Sequence, residues 1–271
     1  MKALTRILLS ALLSCAPGVP SAEPTNGKAA SPWRIGIALG YGERSNPLIQ
    51  SAAVPVAVDV DIAWFGKRMF FDNGDLGFTL VNKRSGMLNV IARANSDRIF
   101  FGKTNTRFVQ VSATGAPLTT PQQLAVPDRS YAVELGVEWL SDGPWGKLAV
   151  AGFADVSKAH EGFNIDAEYA FPVYGTRWSI EPNVTLRYKS AALNNYYWGV
   201  RASEANAALP AYSVGSGINW QVGARSSYYL SRHLRLAASL NYERLSSAVV
   251  GSPLVQDRKV LGYFAGLAYQ F

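Results

Sequence analysis

From Leu261 to Phe271 every odd position is apolar: Leu261, Tyr263, Ala265, Leu267, Tyr269 and Phe271. The even positions are small or polar, except Phe264. A period of two puts the apolar set on one face of a β-strand. The alternation recurs at Trp33–Tyr41, Val54–Trp64, Leu76–Leu80, Tyr131–Trp139, Phe163–Phe171, Trp178–Tyr188, Ile218–Leu230 and Leu234–Tyr242. Further strands are expected over Met87–Arg93 and, with a mixed pattern, Lys147–Asp155. Phe70-Phe71 and Phe100-Phe101 are weaker strand candidates. Asp72-Asn73-Gly74-Asp75 predicts a tight hairpin. Asp142-Gly143-Pro144 and Ser231-Arg232-His233 predict other short turns. Glu43–Ala53, Asn95–Arg129, Ala191–Tyr212 and Leu245–Gln256 read as longer loops, the third with helical content. Pro182 interrupts its strand and predicts a bulge or irregular pairing there.

A soluble β-sandwich also alternates, but its strands run about 5–6 residues. Several segments here alternate for about ten residues or more, the span of a tilted strand crossing a bilayer. Their apolar faces end in Trp, Tyr or Phe, as at the interfacial girdles of membrane barrels. No run of 18 apolar residues exists, so no transmembrane helix is expected. A closed barrel is the other way to satisfy every backbone group in lipid. The reading is an all-β, closed antiparallel transmembrane β-barrel of about 12 strands, with 10 as the runner-up. A strand ending on an aromatic residue resembles the closing strand of outer-membrane barrels. On that resemblance Tyr269 and Phe271 belong to the signal read by the barrel assembly machinery.

The amino terminus sets the compartment. Lys2 and Arg6 precede a short apolar run, Ile7 to Leu13, then small residues and prolines. This reads as a secretory signal peptide over residues 1–22, with a cut after Ser21 as the alternative. Residues 23–32 read as a periplasmic lead-in and residues 33–271 as the barrel, placed in the cell outer membrane. Cys15, the single cysteine, leaves with the leader or, in a lipobox reading of Leu12-Leu13-Ser14-Cys15, carries a lipid. Without it the mature chain has no disulfide framework. The formal charge of +7 falls by two with the leader. The cations are scattered, which excludes a nucleic-acid footprint and suits a basic rim facing lipid headgroups.

The polar faces of the strands carry charge of both signs. Asp59, Asp61, Glu134, Glu138, Asp166, Glu168, Arg177, Glu181, Arg187, Arg225, Arg235 and Glu243 are expected to line the lumen. The pairs Asp59/Asp61 and Asp166/Glu168 could bind a cation or bias a pore, or be answered by Arg or Lys across the barrel. His160 and His233 are far apart at strand ends and read as loop or rim residues, so no metal and no cofactor are expected. Ser231 beside His233 is adjacency in sequence and gives no catalytic geometry. Gly40-x-Gly42 opens no helix and is not a nucleotide fingerprint.

Several stretches together resemble the MipA/OmpV family. They are Gly40-Tyr41-Gly42-Glu43-Arg44 with Pro47, Asn73-Gly74-Asp75-Leu76-Gly77, and Asn195-Tyr196-Tyr197-Trp198-Gly199-Val200 with Glu204-Ala205 and Pro210-Ala211-Tyr212. Ser252-Pro253-Leu254-Val255 ahead of Gly262–Leu267 completes the set. The most specific loop positions are Tyr196, Tyr197, Gly199, Val200 and Glu204; the family pattern often has Tyr where Trp198 stands. The resemblance implies an outer-membrane barrel of Gram-negative bacteria. It also implies, from the type member, a non-enzymatic scaffold that brings together a murein lytic transglycosylase and a bifunctional penicillin-binding protein. A narrow channel for small solutes is the alternative, and a membrane-embedded enzyme the third class.

Overall fold

The computed structural model describes residues 31–101 and 126–271. The leader, Cys15, most of the lead-in and part of Asn95–Arg129 lie outside the described residues. The strands are β1 Trp33–Arg44, β2 Val54–Phe65, β3 Met69–Asp72, β4 Asp75–Lys83, β5 Gly86–Ala94, β6 Val133–Gly143 and β7 Gly146–Asp155. They continue as β8 Phe163–Ala170, β9 Val173–Tyr174, β10 Trp178–Lys189, β11 Gly217–Tyr229, β12 Leu234–Arg244 and β13 Lys259–Gln270. β8 and β9 pair with β10 in one unbroken register on either side of Phe171-Pro172, so they form one wall strand. The wall therefore has twelve strands. β10 pairs with β11, and β1 with β13, which closes the sheet into an antiparallel barrel.

The outer face follows from the period of two. Leu135, Leu186 and Leu240, from three parts of the wall, are 46%, 53% and 55% exposed. Exposed apolar side chains of this kind recur on nearly every strand. A continuous apolar belt is stable where its solvent is hydrocarbon. No described helix is long and apolar enough to cross a membrane.

Two local expectations change, at Pro182 and at Phe100-Phe101, while the Phe70 candidate holds. Pro182 sits in a continuous strand, opposite Ala224 and without a bulge. Its carbonyl accepts from Phe171 N, and the interruption falls on the neighbouring chain at Phe171-Pro172, where the donor that proline lacks is not required. The register shifts occur elsewhere, between Leu39 and Gly42 and between Thr79 and Val81. Phe100-Phe101 is no strand; it ends a 3-10 helix, Ser96–Phe101. The Phe70 candidate is β3, four residues long, turned back at Asn73 (φ 50°) and Gly74 (φ 106°) as a tight hairpin requires. Asn73 Oδ1 accepts from Ile62 N, which ties this hairpin tip to β2.

The long connections all leave one end of the barrel, where they include the helices α1 Ala191–Trp198 and α2 Ser247–Val250. The termini of the wall and the short turns other than the β3–β4 hairpin lie at the other end, the periplasmic one by barrel topology.

Candidate functional site

The loops at the extracellular end pack together into a cap. Leu48, Phe100, Phe101, Leu193, Tyr197, Trp198, Val249 and Leu254, from separate connecting segments, form one buried apolar cluster. α1 forms because Ser190 caps it, its Oγ accepting from Leu193 N, and because Leu193, Tyr197 and Trp198 face this cluster. Phe101 lies 5.9 Å from Tyr197 and 5.7 Å from Trp198, ring centre to ring centre. The family-motif residues are the frame of this cap. Tyr196 Oη accepts from Ser130 N at 2.9 Å, and Tyr197 Oη donates to Ser130 O. Gly199 ends α1, where a Cβ would collide with Asn195 O. Val200 is buried and bridges to Tyr212.

Glu204 anchors the loop from outside the helix. It receives Arg129 Nη1 at 2.7 Å and Nη2 at 3.0 Å, and the Arg201 N–H at 3.0 Å. Arg129 is fully buried and also donates to Gly199 O at 2.9 Å. Burial would raise the Glu204 carboxyl, but the Arg129 and Arg201 donors outweigh it and hold the group below the usual carboxylate range. Burial pushes the Tyr197 phenol well up, so this hydroxyl stays a neutral donor.

Beneath the cap a relay of alternating charge crosses the lumen. Arg93 (β5) meets Glu134 (β6) at 3.0 Å and Asp166 (β8) at 3.3 Å. Arg187 (β10) meets Asp166 at 3.0 Å and Glu243 (β12) at 3.9 Å; Arg44 (β1) reaches Glu243 at 3.4 Å. Arg93 also lies 3.5 Å from the Phe153 ring centre. Lys189 holds Asp97 of the 3-10 helix at 2.6 Å, which bolts the cap to this layer. A second layer lies nearer the periplasm: Arg225 joins Glu168 and Glu181, and Lys147 also reaches Glu181. Glu138 accepts from Asn89. Arg34 joins Asp61 and Asp72 at the mouth.

Of the expected lumen charges, Glu134, Asp166, Arg187 and Glu243 meet in the first layer and Glu168, Glu181 and Arg225 in the second. Asp59 and Arg235 face the mouth cavity. Arg177 departs from the expectation: it is exposed in the turn before β10, because the strand begins only at Trp178. His160 lies in the β7–β8 loop, as expected, but turns inward. Its side chain is fully buried, with Nε2 3.4 Å from Glu134 and Nδ1 accepting from Gly162 N. Sequence reading misses Arg34, Arg44, Arg93, Asp97, Arg129 and Lys189, because a partner across a barrel is not visible from one strand. Ser231 Oγ accepts from His233 N and Leu234 N, and His233 Nδ1 pairs with Gln270 O, so both serve the turn. Among the described residues no group of three His, Cys, Asp or Glu is placed to hold a metal.

A family model described as "MltA-interacting protein MipA" matches residues 35–271, and the chain belongs to that family. It is 26% identical to outer membrane protein Omp26La of Vibrio anguillarum, over 64% of this chain and 69% of that one. It is 24% identical to the putative outer membrane protein YiaT of Escherichia coli (strain K12), over 53% of this chain and 58% of the relative, so that match spans little more than half of YiaT. It is 22% identical to the MltA-interacting protein of Escherichia coli (strain K12), with both chains covered in full. The protein is an outer-membrane β-barrel of this family.

Proposed function

We propose that this MipA-family barrel is a non-enzymatic scaffold that holds peptidoglycan-remodelling enzymes against the outer membrane. The partners are a murein lytic transglycosylase and a penicillin-binding protein, both met at the periplasmic end. The observation that carries the reading is the capped end. An aromatic cap, bolted by Lys189–Asp97 to a lumen-crossing charge layer, occupies the route a solute would take. A barrel stabilised by so much internal pairing suits a fixed platform better than a conduit. The full-length likeness to a relative named for interaction with MltA supports the choice of partner. The charged residues of the lumen have structural duties in this reading. Outer-membrane lipid surrounds the wall, and the assembly machinery would read Tyr269 and Phe271.

The test is reconstitution. The purified barrel, in nanodiscs, is mixed with a purified lytic transglycosylase and a bifunctional penicillin-binding protein, singly and together. The expected result is a complex with each and a ternary complex through the barrel. No complex in any combination, together with single-channel steps in planar bilayers, would replace the scaffold by the narrow channel.

A further inference from the structure

The periplasmic mouth carries a cavity that the structural pairing does not use. Its floor is built of small residues in register. Ala38 of β1 stands opposite both Asp59 of β2 and Ala268 of β13. Ala268 in turn stands opposite Arg235 of β12. One lumen-facing row therefore reads Asp59, Ala38, Ala268, Arg235. The next row towards the mouth reads Asp61, Gly36, Gln270. Phe264 packs against Ala38 and Ala268 on the inner side of this row. Arg232 and His233 stand at the rim. An acidic wall and a basic wall thus face each other across alanine and glycine.

Three inter-strand steps of about 4.8 Å separate Asp59 from Arg235, roughly 14 Å along the wall. Arg235 acts electrostatically on Asp59, but no ion pair joins them. Asp61 differs: Arg34 and Asn73 already engage its carboxylate. So one carboxylate and one guanidinium, both half-buried, face the same cavity without a mutual contact. This contrasts with the two layers above, where every lumen arginine named is joined to a carboxylate. The cavity holds about 50 Å³, room for a charged head group and not for a whole peptide or sugar.

We propose that this cavity binds the zwitterionic head of an α-amino acid or of a molecule ending in one. The ammonium sits against Asp59 and the carboxylate against Arg235, with the rest of the ligand in the periplasmic mouth. Either charge alone would leave the opposite wall unanswered, so selectivity is for the pair. The inference stands apart from the scaffold reading, since it concerns a small ligand inside the mouth and can be tested without either enzyme.

The test uses the purified full barrel in detergent and ligand-observed NMR, with D-alanine, L-alanine and glycine as probes. Acetate and methylammonium are the single-charge controls. The expected result is saturable binding of the zwitterions, with neither control competing at equal concentration. Asp59→Asn and Arg235→Gln should each weaken binding by about tenfold or more, the loss of one charge-assisted contact. Ala38→Leu should abolish it while both charges stay. Heat-modifiable gel mobility checks that each variant is folded. The proposal is overturned if the wild-type barrel binds no zwitterion or binds acetate as well as alanine. It is equally overturned if a folded Ala38→Leu barrel, its floor filled, binds as the wild type does.

Discussion

Arg129 is the residue on which the cap hangs. Its guanidinium is out of water and answers two acceptors, the Glu204 carboxylate and the Gly199 carbonyl. Truncating Arg129 removes all of these donors at once and leaves half-buried Glu204 with Arg201 alone. Arg129→Ala should therefore raise hydrogen exchange across residues 196–204 strongly and leave the β-wall protected. The pH dependence has a definite sign. Because Glu204 is held below the usual carboxylate range, its contribution is complete above an unfolded value of about 4.3. It is lost as the pH falls through the lowered folded value. The protection of this loop, referenced to the intrinsic exchange rate at each pH, should fall on acidification from about pH 5 to about pH 3. Glu204→Gln should exchange faster at neutral pH and respond little to acid. A wild-type loop that stays equally protected across this range would contradict the assignment. The sequence marks Glu204 as a motif residue, but its partner lies 75 positions away and carries no local signal.

At the level of the strand, the two faces of the wall have opposite tolerances. Leu240 sits midway along β12, opposite Ala224 and Tyr263, and points into lipid. Leu240→Arg should destabilise the barrel by about 2–4 kcal/mol in folding titrations from lipid vesicles. Asn241→Arg, on the lumen side beside Gln221, should cost much less; equal effects would invert the faces. On the inner side small residues make room for rings. A Cβ on Gly77 would run into the Phe70 ring. Gly77→Val should thus displace Phe70 and cost about 1–3 kcal/mol in the same titrations. Strand positions and faces are legible in the sequence because the period of two is local. Phe100-Phe101 is not, since two adjacent apolar residues fit a strand edge and a buried 3-10 turn equally. What decides is the cap core that receives them, assembled from distant loops. Pro182 misleads for a similar reason: the break it anticipates is made by the neighbouring strand.

For the whole molecule the decisive event is closure, the pairing of β1 with β13 across the full length of the sequence. In that seam Gly40 stands opposite Gly266. A Cβ on Gly266 would lie 2.6 Å from Leu39 O and 2.9 Å from Gly40 Cα; one on Gly40 would collide with Ala265 O. These are backbone atoms, so no side-chain rotation relieves the contact. A residue larger than glycine pushes the two strands apart, and an open seam leaves unpaired N–H and C=O groups in hydrocarbon, at several kcal/mol each. Gly266→Val should therefore reduce the folded, heat-modifiable band sharply in outer-membrane fractions. Gly152→Val is the matched control. It makes the same change in β7, where an added Cβ meets nothing within 4 Å, and it should assemble like the wild type. Phe271→Asp tests the same seam from its end, where the ring stacks edge-on against Tyr269 at 5.0 Å and the Phe271 N–H donates to Ile35 O. The charge would sit at the interfacial girdle, where a ring can remain and a carboxylate is drawn out. Its effect should fall between the two glycine variants if packing alone is at stake, and should match Gly266→Val if the assembly machinery also reads this residue. A normal folded band for Gly266→Val would show that the β1–β13 seam tolerates separation and that closure is held elsewhere in the wall.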